Sequence, residues 1–457
     1  MTSLAQPSKR FRERARITLG RAKVQEMIDS GTAHLFAKRL EAWADLPDVE
    51  ATRERAREIR TRTIGDLDRY LDDFRAALEA RGGKVVFCRT AEEASRYVVD
   101  VCRAHDAKLV AKTKSMATEE IGLNEALGEA GIRSVETDLG EYLIQLAGEH
   151  PTHIIGPAIE KTAEDAAGLL SQVEGEQLPP EPQLLLRAAR RQLRDVFLRA
   201  DVGVTGVNFG VAETGSICLV TNEGNGRLIT SLPPIHIAVM GMERVVPTLE
   251  DLAVLLQLLP RSAGGQKLSV YTTLLTGPRR DGESDGPQEL HVVLIDNGRS
   301  NLRGGRYEEM LNCIRCGACL NVCPVYRKAG GGAYSDVYSG PMGAVLVPLL
   351  AKIEHAPSLP HASSLCGACT ESCPVKIPLH ELLLELRRDL VDEGVASRRE
   401  RLGFLLWSLA WSNARSYQLS ARLARRFTRV AGRFGPGRDW SKERDLPRLA
   451  SRSYRQL

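Results

Sequence analysis

The stretch Cys313–Val325, CIRCGACLNVCPV, decides how this sequence is interpreted, and Ser363–Val375, SSLCGACTESCPV, repeats it with one change. The first run spaces four cysteines as C-x2-C-x2-C-x3-C-P, whereas the second has Ser363 where its first cysteine is expected. A loop with this spacing can direct three thiolates at one [4Fe–4S] cluster, and in two-cluster proteins the fourth cysteine ligates the other cluster. The repeated spacing therefore predicts two iron–sulfur clusters.

The spacing also predicts which cysteines hold each cluster, because each run supplies the last ligand of the other. Cluster 1 is assigned the ligands Cys313, Cys316, Cys319 and Cys373. Cluster 2 is assigned the ligands Cys323, Cys366 and Cys369. Cluster 2 thus has three thiolates, and several answers stay open for its fourth position. They are an open iron or a non-cysteine ligand (Ser363 is the candidate, with Ser364 and His361 nearby), an exogenous ligand or water, a [3Fe–4S] form, or recruitment of Cys88, Cys102 or Cys218 from the α/β domain.

In two other interpretations the cysteines bind no iron–sulfur cluster. A zinc knuckle also uses paired C-x2-C units, but it closes with four ligands and does not need two C-x3-C-P ends. Inert thiols would be spread along the chain, whereas seven of the ten cysteines lie between Cys313 and Cys373. The other three, Cys88, Cys102 and Cys218, fall in apolar or helical patterns, which predicts buried core residues.

The composition is that of a globular protein with several domains: 457 residues, 43% hydrophobic and 26% charged. The opening residues, MTSLAQPSKRFRERARI, lack the apolar segment of a secretory signal. No run approaches the ~18 apolar residues of a membrane-spanning helix. These features predict a cytoplasmic protein, and in a reducing compartment clustered cysteines bind metal more often than they form disulfides.

Four regions follow one another along the chain. A helical region is predicted for residues 1–80, an α/β domain for 81–300, the two-cluster iron–sulfur domain for 301–392, and a basic helical extension for 393–457. The α/β prediction rests on short β-type runs that alternate with helical patterns, which indicates a largely parallel sheet. Those runs cover 84–88, 108–113, 133–138, 153–158, 215–222, 234–241, 267–277 and 289–296.

Longer stretches around these motifs closely resemble the lactate utilisation protein B family. In the cysteine segment the resemblance rests on CIRCGACLNVCPVY, GGGAYSDVYSGPMGAVLVPLL and LCGACTESCPVKIPLHELLLELR. Upstream it rests on KTKSMATEEIGLNEAL and GVTGVNFGVAETGSICLVTNEGNGRL. The resemblance covers roughly residues 10–400, and the basic segment beyond is not carried over.

The resemblance implies the iron–sulfur subunit of a three-part bacterial system that oxidises L-lactate to pyruvate, with the other subunits as partners. It implies a domain like the sugar-phosphate isomerase and CoA-transferase fold, followed by a mostly helical ferredoxin-like [4Fe–4S] module. It assigns the seven clustered cysteines to the same two sets as the spacing does. The family pattern also has three cysteines in the second run, so Ser363 is not a departure from it.

The α/β domain carries two groups of polar residues that a small ligand could use. Lys112, Lys114 and Ser115 precede a helical pattern and form a candidate site for a carboxylate such as lactate. Helix capping by the same residues is the alternative. The second group lies on loops beside a β-type run: Glu213, Thr214, Gly215, Ser216, Asn222, Glu223 and Arg227.

The predicted function depends on whether the sequence also has a motif that binds an organic redox cofactor. The sequence has neither a G-x-G-x-x-G motif after a strand nor a phosphate-binding loop, and iron–sulfur ligands without an organic cofactor favour an electron relay. We therefore predict an electron-transfer subunit rather than a sole catalyst. One alternative is a catalytic subunit that binds the hydroxy acid in the α/β domain or at the open iron of cluster 2. Another is a non-redox interaction protein with structural clusters.

The C-terminal segment is strongly basic. From Arg401 to Leu457 there are thirteen Lys or Arg residues against three acidic residues. Arg415–Arg438 has the pattern of a basic amphipathic helix, which can bind an anionic membrane or an acidic partner. That would place the protein at the inner membrane face, where a relay hands electrons to a respiratory acceptor. Nucleic acid is not expected, because the arginines belong to no recognisable reading module.

Overall fold

A computed structural model describes residues 11–334, 337–396 and 398–434. The chain divides into two compact units between Asp389 and Leu390. Within the described residues, the first unit holds the strands of two sheets, and the second unit is helical.

Four helices open the described chain, within the region 1–80 that was predicted to be helical; residues 1–10 of that region lie outside the described residues. They are α1 (Phe11–Leu19), α2 (Ala22–Ala44), α3 (Val49–Gly65) and α4 (Leu67–Glu79). Asp48 caps α3 by accepting a hydrogen bond from the Ala51 backbone N–H. Phe74 and Leu78 of α4 are fully buried against the strands that follow, so this helix covers one face of the α/β domain.

The strands form one parallel and one mixed sheet. They are β1 (Lys84–Cys88), β2 (Leu109–Lys112), β3 (Arg133–Glu136), β4 (Val202–Gly206), β5 (Phe209–Val211), β6 (Ser216–Thr221), β7 (Ile235–Gly241), β8 (Val245–Val246), β9 (Tyr271–Leu275) and β10 (Glu289–Ile295). Six strands pair in parallel in the order β1-β10-β7-β4-β2-β3. The other four form the mixed sheet β8-β5-β6-β9.

Helices cover both faces of the parallel sheet, which is why its strands are almost continuously apolar. Every residue of β7 is buried. Ile237 and Val239 face one core, and Ala238 and Met240 face the other. The covering helices and nearby short helices are α5 (Ala91–Ala104), α6 (Met116–Glu120), α7 (Leu123–Glu129), α8 (Leu139–Leu146), α9 (Ala163–Glu174), α10 (Pro182–Arg199), α11 (Asn225–Ile229) and α12 (Leu249–Gly264).

One predicted β-type run, 153–158, is not a strand, and that prediction was wrong. These residues form an irregular loop, because Pro157 has no N–H to donate to a ladder and the loop bonds to the cysteine segment instead. The Thr152 carbonyl accepts hydrogen bonds from the Tyr326 and Ser339 hydroxyls at 2.9 and 3.1 Å. The His153 ring bonds to Asn321 at 3.0 Å.

The cysteine segment consists of short helices and single turns. Its helices are α13 (Ala318–Val322), α14 (Pro324–Ala329), α15 (Gly340–Ala351), α16 (Ala368–Glu371) and α17 (Leu379–Asp392). Single turns of 3-10 helix occur at Met242–Arg244, Arg299–Leu302, Glu308–Asn312, Gly331–Ala333, Ile353–His355 and Leu359–His361. The coarse prediction of a parallel α/β domain followed by a mostly helical cysteine module is therefore confirmed.

The second unit carries two further helices, α18 (Arg398–Trp411) and α19 (Ala414–Phe434). Trp407 and Trp411 stack with ring centroids 5.5 Å apart, and Trp411 meets the edge of Tyr417 at 5.2 Å. Among the helices that the structure describes, none has the length and apolar character to cross a membrane.

Candidate iron–sulfur centre

The two cysteine runs have the same local backbone conformation. Arg315 and Gly317 flank Cys316 with φ of 57° and 76°. Leu365 and Gly367 occupy the matching positions of the second run with φ of 55° and 83°. A left-handed residue on each side of the central cysteine curls the chain tightly, and a short helix begins after each glycine. The repeat seen in the sequence is therefore also a structural repeat.

Four cysteines surround one small cavity of about 20 Å³; they are Cys313, Cys316, Cys319 and Cys373. The other walls are largely apolar and include Ile154, Ile314 and Val375. The last three of these cysteines are between 7% and 8% exposed. Four thiols around a shielded site fit a [4Fe–4S] cluster, which takes four thiolates. This arrangement supports the ligand set assigned to cluster 1, which stays a prediction.

The remaining three cysteines form a second group. Burial, together with the nearby sulfurs of Cys323 and Cys366, raises the pKa of Cys369 to about 12. Burial also raises the pKa of Cys323, and Cys366 again acts in the same direction. These mutual effects mean that the three sulfurs lie near one another. Cys366 is exposed whereas the other two are buried, so a cluster held here would reach the surface on the Cys366 side.

Cys319 connects the two groups. Burial raises its pKa well above the usual range, and the next causes are three cysteines of its own group and Cys369 of the other. The two predicted cluster sites are therefore neighbours. Iron binding would offset the raised pKa values, because a metal-bound thiol is deprotonated.

The side-chain geometry does not suit a single metal ion. Among the described residues, no three His, Cys, Asp or Glu side chains converge in a way that could hold one. A zinc knuckle needs four ligands at about 2.0–2.3 Å from a single ion. A [4Fe–4S] cluster needs no such convergence, because each cysteine binds a different iron.

Two arginines of the N-terminal helices hold the second run in place. Arg39, 3% exposed, donates to the Ser372 carbonyl at 2.8 Å. Arg53 donates to the Cys373 carbonyl at 2.8 and 3.2 Å. Burial lowers the pKa of Arg39 to about 10, while nearby cysteine sulfurs act in the opposite direction. Because charge near an iron–sulfur cluster sets its potential, these helices belong to the candidate centre.

Arg60 of α3 holds the approach to the first run and is fully buried. It donates to four backbone carbonyls, at 2.9 Å for Leu311, 3.4 Å for Asn312 and 2.9 Å for Val245, with Glu243 as the fourth. Burial lowers the pKa of Arg60 to about 9. Sequence reasoning missed this residue, because it lies in a charged helical pattern where arginines are ordinarily solvated.

Ser363 stands where the second run lacks a cysteine, and its hydroxyl is engaged locally. Its Oγ accepts the Leu365 backbone N–H at 3.1 Å, which forms a serine turn. On the buried side of the same group, the Tyr334 hydroxyl donates to the Ala362 carbonyl at 3.4 Å. The same hydroxyl lowers the pKa of Cys323, against the larger effect of burial. The structure gives Ser363 a role in shaping the loop, and its role as a ligand stays a prediction.

We expect Ser363→Cys to supply the fourth thiolate of cluster 2. Ser363 stands three residues before Cys366, as Cys313 stands three residues before Cys316. The residues that flank Cys316 and Cys366 have matching backbone conformations. After anaerobic reconstitution and brief air oxidation, the variant should keep more iron than the natural protein and show less [3Fe–4S] signal by electron paramagnetic resonance. Ser364→Cys, on the exposed neighbouring residue, is the control, and equal iron retention in all three proteins would contradict the prediction.

The polar residues at the start of α6 have structural partners. Lys112 is fully buried, with its Nζ 2.6 Å from Glu136 and 3.5 Å from Glu119, so it is not available to a ligand. Ser115 caps the helix by accepting the Thr118 backbone N–H. The capping alternative is therefore confirmed for Ser115, and the inclusion of Lys112 in an anion site was wrong.

The second polar group does not form one site. Thr214 and Ser216 lie at the start of β6, and Asn222 and Glu223 follow its end. Residues from both predicted groups nevertheless meet elsewhere: Lys114, Ser115, Asn222 and Glu223 line one cavity of about 310 Å³.

The cysteines outside the two runs are core residues, as predicted. Cys88, Cys102 and Cys218 are 3%, 0% and 0% exposed. Burial raises their pKa values to about 11, about 12 and about 12, respectively. They are inert, buried thiols rather than cluster ligands.

Three protein families match successive parts of the chain. The LUD domain matches residues 71–295, a 4Fe-4S dicluster domain matches 309–377, and the C-terminal domain of lactate utilisation protein B matches 388–457. The dicluster match includes both cysteine runs, so this segment is a domain for two [4Fe–4S] clusters.

Individual relatives match along almost the whole chain. Proteins named lactate utilization protein B from Bacillus thuringiensis (strain Al Hakam), Bacillus cereus (strain AH187) and Bacillus anthracis (strain CDC 684 / NRRL 3495) are each 45% identical over 455 residues, which is 98% of this chain and 96% of theirs. A crystal structure of a DUF162 family protein from Deinococcus radiodurans matches with a TM-score of 0.28 and 14% identity, over 50% of this chain and 98% of that chain. The similarity thus continues through the basic segment, and ending it at about residue 400 was wrong.

Proposed function

This chain belongs to the lactate utilisation protein B family, and we propose that it is the iron–sulfur electron-transfer subunit of a multi-component system that oxidises L-lactate to pyruvate. The observation that carries the proposal is the pairing of two cysteine groups, one enclosed and one that reaches the surface at Cys366.

The chain's own residues set up a route from the interior to the surface. Each [4Fe–4S] cluster, when bound, supplies one-electron chemistry. Cys319 and Cys369 bring the two groups together, and Cys366 presents the second group to solvent. The Arg39 cation beside the first group would favour the more negative, reduced state. An interior site joined to a surface site suits a relay between a donor and a partner.

Finer assignments are part of the same proposal. We assign the two ligand sets as the spacing predicts, and residues 1–80, 81–300, 301–392 and 393–457 as successive regions. We propose that 81–300 resembles the sugar-phosphate isomerase and CoA-transferase fold, which its parallel sheet supports. We propose further that other subunits of the lactate system and a respiratory acceptor are its partners.

Reversible reduction of the full chain tests the proposed function. The anaerobically reconstituted protein should be reduced by dithionite and re-oxidised by a dye without loss of iron, as followed by its visible absorption. Reduction by L-lactate alone, without partner subunits, would favour the catalytic alternative. Clusters that cannot be reduced would overturn the electron-transfer proposal and leave an interaction protein with structural clusters.

We propose that the basic segment brings this cytoplasmic protein to the inner face of the membrane. In α19, Leu419 and Leu423 are four residues apart and therefore share a face, and their side chains are 61% and 48% exposed. Arg415 and Arg422 belong to the same helix. Exposed apolar residues and cations on one helix are the composition of an interfacial anchor.

We expect the full chain to sediment with anionic vesicles at low salt and to be released at high salt, because the attraction is screened. Neutral vesicles are the lipid control, and a chain that ends at Ser412 is the protein control; neither should support sedimentation. Equal, salt-insensitive sedimentation of both chains would show that α19 does not bind membranes.

A further inference from the structure

The cavity of about 310 Å³ lies at the carboxyl edge of the parallel sheet. Residues at or just beyond the ends of β2, β4 and β7 line it, namely Lys114, Gly206 and Gly241. Strands β2 and β4 are neighbours in the sheet, and the strand order reverses between them. The chain continues from β2 to β3 towards one edge of the sheet, and from β4 to β7 towards the other edge. Open α/β sheets bind their ligands at such a reversal of strand order.

The same cavity borders the site of cluster 1. Ile154 and Arg315 line both this cavity and the small cavity of the four cysteines. A molecule in the larger cavity would therefore be one layer of side chains away from the first group of sulfurs. This neighbour relation distinguishes it from a general cleft in the α/β domain.

Four cations and three carboxylates line the cavity: Lys114, Arg244, Arg299 and Arg315 against Asp138, Glu223 and Glu243. Glu243 pairs with Arg299 at 2.6 Å and with Arg315 at 3.2 Å. Arg244 instead donates to two backbone carbonyls and forms no ion pair within the described part of the chain. Lys114 forms a long ion pair with Asp138 at 3.6 Å and donates to the Ile155 carbonyl at 3.2 Å. Arg244, and Lys114 with its long ion pair to Asp138, are thus the most weakly neutralised cations of the cavity.

A buried amide in the cavity lacks a partner. Asn225 is 7% exposed, and its Oδ1 accepts no hydrogen bond in the described structure. Its Nδ2 donates to the Thr137 hydroxyl at 3.4 Å, which leaves the oxygen as the free end of the amide. Because buried polar atoms are ordinarily satisfied, a donor on a ligand would complete this site.

We propose that this cavity binds a 2-hydroxy carboxylate, with its carboxylate held by Lys114 and Arg244 and its hydroxyl donated to Asn225. The inference rests on the proposed function, which it deepens by naming where the hydroxy acid contacts this chain. The volume exceeds that of lactate, so longer 2-hydroxy acids fit as well. Apolar wall residues such as Ile154 and Leu219 would face the alkyl part of the ligand.

Calorimetric titration of the reconstituted full chain tests the ligand class. L-lactate should bind, and propionate, which lacks the hydroxyl, should bind about tenfold more weakly because Asn225 is left unpaired. Lactamide, which lacks the charge, should not bind detectably. Equal affinities for the three compounds, or no binding of L-lactate at all, would overturn the proposal.

Three variants test the location. Lys114→Gln should weaken L-lactate binding by about tenfold or more, whereas Lys161→Gln should leave it unchanged. Lys161 is the matched control, because it is also partly buried and paired with a carboxylate, Glu149, but does not line the cavity. Ala263→Phe should block binding by filling the cavity without altering a charge.

The readouts separate this inference from the proposed function. Each variant is compared at unchanged iron content and unchanged circular dichroism. Normal binding in Ala263→Phe and Lys114→Gln would place the ligand elsewhere and overturn the inference. If the clusters are reduced reversibly but L-lactate does not bind, only the cavity site is refuted. If L-lactate binds but the clusters cannot be reduced, only the electron relay is refuted.

Discussion

Cys373→Ala should lose the cluster of the first cysteine run, although Cys373 belongs to the second run. The reason is that Cys373 lines the same small cavity as Cys313, Cys316 and Cys319, and an alanine there leaves one iron without a thiolate. Iron should fall from about eight to about four atoms per chain. The paramagnetic signal that disappears from the reduced protein should be the one that Cys313→Ala removes.

The reciprocal variant and a core variant complete this test. Cys323→Ala should damage the other cluster, because its neighbours are Cys366 and Cys369. Cys218→Ala, which alters a buried thiol outside both runs, should keep all of its iron. If Cys373→Ala and Cys366→Ala removed the same signal, the crossed assignment of ligands would be wrong.

Arg60→Leu should destabilise the first unit and lead to the loss of cluster 1. The leucine preserves helix propensity but leaves the carbonyls of Leu311, Asn312 and Val245 without their buried donor. Each buried acceptor left unsatisfied costs about 1–3 kcal/mol, so a loss of about 3 kcal/mol or more is expected. The free energy of unfolding in urea, followed by tryptophan fluorescence, measures the first effect, and iron per chain measures the second.

Arg55→Leu is the matched control on the same helix. Its side chain is 53% exposed and its ion pairs with Glu58 and Asp251 are 3.6 and 4.0 Å long. Surface changes of this kind usually stay within about 0.5 kcal/mol. A similar loss of stability and iron in both variants would show that Arg60 has no special role in joining α3 to the cysteine segment.

The local chemistry of the cysteine runs could be predicted from the sequence. Spacing, glycine and proline act over a few residues, so the chain's own order specifies the curl around Cys316 and Cys366. Strands such as β7 and β10 were likewise predicted, because their apolar runs record burial on both faces. Ser115 as a helix cap follows from the same short-range logic.

The sequence was less informative where a residue's partner is distant in the chain. The run 153–158 is apolar enough for a strand, but His153 and its neighbours bond to the cysteine segment instead. Lys112 looked like a ligand and is neutralised by Glu136 across two parallel strands. A one-dimensional pattern reports how apolar a position is, and it does not report which surface that position meets.

The sequence by itself therefore determined the chemistry of the protein: two cysteine runs in a domain for two [4Fe–4S] clusters, an α/β domain and the family. The tertiary structure decided how that chemistry is placed, with Cys366 at the surface, Arg60 in the interior, and Lys114 and Arg244 around a cavity beside the first group of cysteines. The curl of each cysteine run depends on spacing within one loop, which sequence order specifies. Exposure, buried cations and cavities arise where segments hundreds of residues apart pack together, so they exist only once the chain has folded.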